Sequence, residues 1–140
     1  MFDPLQFANL AYQLSEDDDY TSLDARTRTT YGRAYYALML AVRVAIRKAE
    51  KKNPDVKIDD HGHLWRTLED TGVPKLMGLG RLLKDFYEAR EKADYHVDPP
   101  ESKWARNFTD PRYARANAEV AQDTIGRLST YDFTPVVGKV

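Results

Sequence analysis

The chain has 140 residues, 42% of them hydrophobic and 31% charged, a formal net charge of −1 and no cysteine. That size fits one domain around one core. The absence of cysteine excludes disulfides and thiolate metal sites, and near-neutrality argues against bulk electrostatic attraction to nucleic acid.

No segment approaches the roughly 18 uninterrupted apolar residues of a membrane span. The first 20 residues also lack the basic and apolar regions of an export signal. A cytoplasmic protein that does not enter the membrane is therefore expected. The charges are unevenly placed. Residues 1–25 carry six acids and no base, whereas residues 26–52 carry eight bases against Glu50 alone. The two segments are expected to neutralise each other as packed neighbouring helices, with a local basic surface as the other outcome.

In chain order, Asp3 and Pro4 form an N-cap followed by proline at the first helical position, and Leu5, Ala8, Ala11 and Tyr12 recur at helical spacing. The first helix should end near Ser15, with the acidic run EDDDY as a loop, so 1–19 forms an N-terminal helix and acidic loop. Thr21 with Asp24 suggests a capping box for a second helix. No proline interrupts it before Pro54, so it spans nearly 30 residues, or roughly 45 Å at 1.5 Å per residue. Its stripe of Ala34, Leu38, Ala41, Val42, Ala45 and Ala49 would let neighbours approach closely.

NPDVKIDDHGH reads as a polar connection. Leu64, Trp65 and Leu68 then make a short helix stopped by Gly72 and Pro74. The next helix runs from Leu76 to about Val97, with Leu79, Leu82, Leu83, Phe86 and Ala93 on one stripe, until Pro99 and Pro100 end it. Asp110 and Pro111 open a last helix with Ala114, Ala118, Ala121, Ile125 and Leu128 inward. Residues 131–140 read as a loosely held tail. No strand-like alternation or repeat appears. The fold expected is all-α, a four- to five-helix up-and-down bundle with one long central helix, filling 1–140 as a single domain.

Few residues offer chemistry. Arg90 follows Phe86 by four residues, beside the apolar stripe, and so needs a partner. Asp94 is one candidate and an anionic ligand is the other, because a guanidinium presents paired donors to phosphate oxygens. His96 lies at the helix end, where the helix dipole favours an imidazolium; its ordinary pKa of about 6.5 also suits proton transfer. His61 and His63, preceded by Asp59 and Asp60, read as a helix entry and not as a metal site, because residues two apart do not share a helix face. No metal or cofactor is expected. Tyr31, Tyr35, Tyr36, Tyr87 and Tyr95 read as core or interface residues, with stacking on RNA bases as the alternative. HExxH, Walker, GxSxG and GxGxxG motifs are all missing.

The segment RTTYGRAYYALMLAVR, residues 28–43, resembles the arginine-alanine-tyrosine-tyrosine-alanine helix of the HEPN superfamily of small all-α prokaryotic proteins. HGHLWRTLED and LLKDFYEAREKADYH follow in the order of that family's histidine-led helix and its helix ending in an arginine and alanine-aspartate-tyrosine. The resemblance covers about residues 20–130. It implies a metal-independent endoribonuclease that acts as a toxin or defence effector. Arg90 and His96 would be its catalytic arginine and histidine, meeting their copies at a homodimer interface. His96 would move the proton of a ribose 2′-hydroxyl, Arg90 would stabilise the phosphorane, and Arg33, Tyr36, Asp94 and Tyr95 would line the RNA or nucleotide site.

Two positions depart from the family pattern. Glu91 stands where nuclease members often carry asparagine, aspartate or histidine, and Asp98 stands where some toxins carry a tyrosine modified by a partner nucleotidyltransferase. The alternative implied is a noncatalytic module that binds a nucleotide or a partner protein such as a nucleotidyltransferase-type antitoxin.

Overall fold

The computed structural model describes residues 3–16, 23–52, 61–95 and 110–139. These form an all-α helical bundle: α1 (Pro4–Glu16), α2 (Leu23–Ala49), α3 (His61–Glu69), α4 (Pro74–Tyr95) and α5 (Pro111–Arg127), followed by two short 3₁₀ turns at Leu128–Thr130 and Thr134–Val136. The central helix, α2, is 27 residues long and packs against α1, α4 and α5, while α3 packs on α4.

Alanines carry much of this packing. Ala8 and Ala11 of α1, Ala34, Ala37 and Ala41 of α2, and Ala114, Ala118 and Ala121 of α5 are all buried. Small side chains let helix axes approach closely, and Leu38, Val42, Ile46, Leu68, Leu83 and Phe86 fill the remaining volume. The expected stripes are seen, although Ala49 at the end of α2 is exposed.

The helix ends follow capping chemistry. The backbone N–H of Leu5 donates to Asp3 Oδ1 at 3.0 Å, and that of Arg112 to Asp110 Oδ1 at 2.9 Å. Arg112 closes its side chain on the same carboxylate, and those bonds hold the Asp110 pKa below the usual carboxylate range. Pro74 is the first residue of α4 and so starts that helix, as proline's fixed φ and absent N–H allow at a first turn. Its left-handed neighbour Gly72 (φ 69°) makes the corner after α3. The Thr21–Asp24 capping box falls outside the described residues and side chains.

α2 ends in a Schellman motif. The N–H of Lys52 reaches Arg47 O and that of Lys51 reaches Lys48 O, both at 3.0 Å, with Lys51 at φ 55°. Glycine is the usual occupant of that left-handed position. Lys51→Gly is therefore expected to raise stability in urea by about 1 kcal/mol; an unchanged unfolding midpoint would show that Lys51 is not strained there.

The segment from Tyr131 to Lys139 is not a loose tail. Phe133 and Val136 are buried in the core. Gly138 N donates to Glu50 Oε1 at 2.8 Å, His63 Nε2 lies 2.8 Å from Lys139 O, and Lys75 Nζ donates to Thr130 O at 3.1 Å while sitting 4.4 Å from the Tyr131 ring centre. The segment straps α2, α3 and α4 together. The expected pairing of α1 acids with α2 bases is not seen for Glu16, whose Oε1 faces Arg115 of α5 at 3.8 Å; Asp17, Asp18 and Asp19 lie outside the described residues.

Tyr31 and Tyr35 are 5% and 1% exposed, and burial pushes both phenols well above their ordinary value. Native tyrosines then stay protonated where unfolded ones ionise. Stability is full below about pH 10 and falls above it by about 1.4 kcal/mol per pH unit for each such tyrosine. Chemical unfolding monitored from pH 9 to 11 should show that decline, and a flat profile would mean that neither phenol is held from water.

Candidate functional site

The N-terminal half of α2 and the C-terminal end of α4 form one surface. Arg28, Gly32 and Tyr36 are spaced four apart and so share one face of α2. An Arg28 Nη donates to Ala93 O at 2.9 Å, supplying one donor to the end of α4. Gly32 faces Asp94 across the two helices: a Cβ built there would lie 4.0 Å from Asp94 Oδ1, an ordinary contact. Tyr31, Ala93 and Ala114 form a small second core, with Ala89 against it.

Arg90 stands at the centre of this surface, its side chain 15% exposed. Its guanidinium carbon lies 5.4 Å from the Tyr36 ring centre and 5.9 Å from those of Tyr87 and Tyr95. These are cation–π distances. Nε is 3.0 Å from Asp94 Oδ2, one helical turn on, yet that contact is not aligned as a hydrogen bond and leaves Nε without an acceptor. Burial opposes the Arg90 charge, but Tyr36, Asp94, Tyr95 and Tyr35 outweigh it and hold the pKa above the ordinary arginine value.

An aromatic run continues from this point into the core. Trp65 of α3 meets Tyr87 at 4.9 Å between ring centres, Tyr87 meets Tyr35 at 5.6 Å, and Tyr35 meets Tyr36 at 5.3 Å. Burial, then the charge and hydrogen bonding of Glu91, raise the Tyr87 pKa. The phenol remains a neutral donor at physiological pH.

Of the residues singled out from sequence, Arg90, Tyr36, Asp94 and Tyr95 come together. Tyr95 is 66% exposed, so within this chain it is not a core residue. Arg33 points elsewhere, its guanidinium 5.5 Å from the Phe7 ring of α1. His96 lies outside the described residues. Arg28 and Tyr87 were not assigned to the site by sequence. The eight-residue spacing from Arg28 to Tyr36, two steps of four through Gly32, held the signal for the first, and the Tyr87-to-Arg90 spacing of three for the second. His63 is engaged by the strap. No cluster of possible metal ligands exists among the described residues, and no helix is long and apolar enough to cross a membrane.

Chemically, the arrangement offers a fixed, fully charged fork with stacking surfaces around it. It suits a planar or anionic group that presents oxygens to the guanidinium and a ring to the tyrosines. No protein-family model matches the chain, nor does any curated protein or solved structure.

Proposed function

We propose that this protein is a metal-independent endoribonuclease of HEPN type, acting as a toxin or defence effector from a composite site at a homodimer interface. The observation that carries the proposal is Arg90: a largely buried guanidinium ringed by three tyrosines, with an Nε that lacks an aligned acceptor, at the end of the helix that leads to His96. Arg90 neutralises charge that builds on the phosphorane, and Tyr95 and Tyr36 offer faces to the flanking bases. His96 takes the proton from the ribose 2′-hydroxyl, whose oxygen attacks the adjacent phosphate; as the bond from phosphorus to the 5′ oxygen breaks, the imidazolium returns the proton to that oxygen, leaving a 2′,3′-cyclic phosphate and a free 5′-hydroxyl.

A second reading has its own support. Asp94 shields Arg90 and the exposed Glu91 carboxylate is its chain neighbour, and both charges oppose an RNA phosphate. They favour a noncatalytic module that binds a nucleotide base or a partner such as a nucleotidyltransferase-type antitoxin.

The deciding experiment is incubation of the purified protein with a mixed single-stranded RNA in chelator, with end-group analysis and sedimentation of the protein alone. Cyclic phosphate ends from a dimeric protein are expected. Intact RNA would move the assignment to the binding module. Loss of cleavage on chelation or a monomer at micromolar concentration would remove the metal-free composite site.

A further inference from the structure

A second concavity lies in the other half of the bundle. It is a cavity of about 480 Å³ walled by Ala41, Ala45 and Ala49 of α2, Leu128 of the 3₁₀ turn after α5, and Tyr131 and Phe133 of the strap. That volume falls in the range of roughly 300–1,000 Å³ typical of small-molecule sites. Its floor on α2 begins about one and a half turns beyond Tyr36 and shares no residue with the Arg90 surface.

The sequence explains why the space is empty of side chains. Ala41, Ala45 and Ala49 recur every four residues and give α2 a face of methyl groups where a longer residue would have filled the gap. The opposite wall cannot readily collapse onto it. It is the strap, anchored at one side by Lys75 on Thr130 and Tyr131, and at the other by Gly138 on Glu50 and Lys139 on His63, with Phe133 and Val136 sunk in the core. The cavity is thus preformed.

Its polar lining is sparse and asymmetric. Lys48, Ser129, Tyr131, Asp132 and Thr134 contribute the side-chain polar groups. Asp132 and Thr134 are committed to each other: Asp132 Oδ1 accepts from Thr134 N at 2.9 Å and from Thr134 Oγ1 at 2.6 Å. The Lys48 ammonium and the Ser129 hydroxyl have no side-chain hydrogen bond or ion pair among the described residues. Both are donors and both border the apolar space.

We propose that this cavity binds a small amphiphilic carboxylate, an aliphatic or aryl acid of roughly a dozen non-hydrogen atoms, with its chain against the alanine face and its head on Lys48 and Ser129. One carboxylate matches one cation and one hydroxyl. The Asp132 charge in the same wall works against a phosphate dianion or a polyanionic lipid head, which selects a singly charged head. The site does not depend on the RNA chemistry proposed for Arg90.

Octanoate is the probe, titrated into the full chain and followed by amide chemical shifts, with octanol as its uncharged counterpart. Saturable shifts confined to residues 41–49 and 128–134 are expected, with octanoate binding about tenfold more tightly than octanol. Lys48→Met, at an exposed position that leaves the core untouched, should bring the two ligands to equal affinity. Ala45→Phe should abolish binding of both by filling the space, and its amide spectrum reports separately whether it folds. Octanol binding as tightly as octanoate to the native protein, or no saturable shift with either, would overturn the proposal.

Discussion

Arg90→Ala is expected to lower RNA cleavage by about 10²- to 10³-fold while the helical content stays unchanged. The stability cost should be near 1 kcal/mol, because the side chain gives up a partly exposed ion pair and weak cation–π contacts but no core volume. Arg90→Lys separates charge from geometry. An ammonium keeps the charge but lacks the planar fork, so little activity should return if two phosphate oxygens are gripped together. His96→Ala should remove a proton-transfer contribution of about 10²- to 10⁴-fold. Cleavage rates and urea unfolding on the same preparations distinguish the readings. Full activity in Arg90→Ala would reduce the residue to a structural partner of Asp94.

Two glycines in α4 should respond to alanine with opposite signs. Gly78 and Gly80 are both helical, and helix propensity alone favours Ala over Gly by about 1 kcal/mol. Nothing lies within 4 Å of a Cβ built on Gly78, so Gly78→Ala should be stabilising by about that amount. A Cβ on Gly80 would sit 2.8 Å from the Trp65 carbonyl oxygen, 3.0 Å from Glu69 Cγ and 3.1 Å from Leu68 Cβ. The nearest of these is backbone and cannot rotate away, so α3 must lift off α4. The cost is about 1–3 kcal/mol, and Gly80→Val should cost more because its branched side chain adds volume to the same contact. For a chain of this length each kcal/mol moves the melting temperature by roughly 3–5 °C. If Gly80→Ala matches Gly78→Ala, the close crossing of α3 and α4 at that point is wrong.

The helices were legible because their signals are local. Asp3 with Pro4, Asp110 with Pro111, and the alanine stripes of α2 and α5 each lie within a few residues of the structure they dictate. The end of α2 was harder to read, since a lysine occupies the left-handed position where glycine would have announced the Schellman motif. The strap was misread for a physical reason. TPVVGKV has no helical or strand period, and Val136 is buried because Glu50 and His63 hold its neighbours, which no pattern within the segment can show. The Arg90–Asp94 contact followed from spacing, whereas the ring of tyrosines around it required the crossing of α2 and α4. Arg33 lay within the most distinctive motif and nonetheless turned to Phe7, because one residue past Gly32 is about 100° around α2 from the middle of the face that carries Arg28, Gly32 and Tyr36.

The strap also bears on how the molecule is assembled in time. Its bonds to His63 and Glu50 join residues 76 and 88 positions apart. The cost of closing a loop grows only slowly with its length, and α5 closes loops at least as long to reach α1, so the strap is set apart from the helix contacts by its few bonds and not by its range. If these peripheral bonds form only after the helices have packed, variants that loosen them should speed unfolding while leaving the folding rate nearly unchanged, which stopped-flow folding and unfolding in urea would read. The lifetime of the walled cavity follows from that unfolding rate.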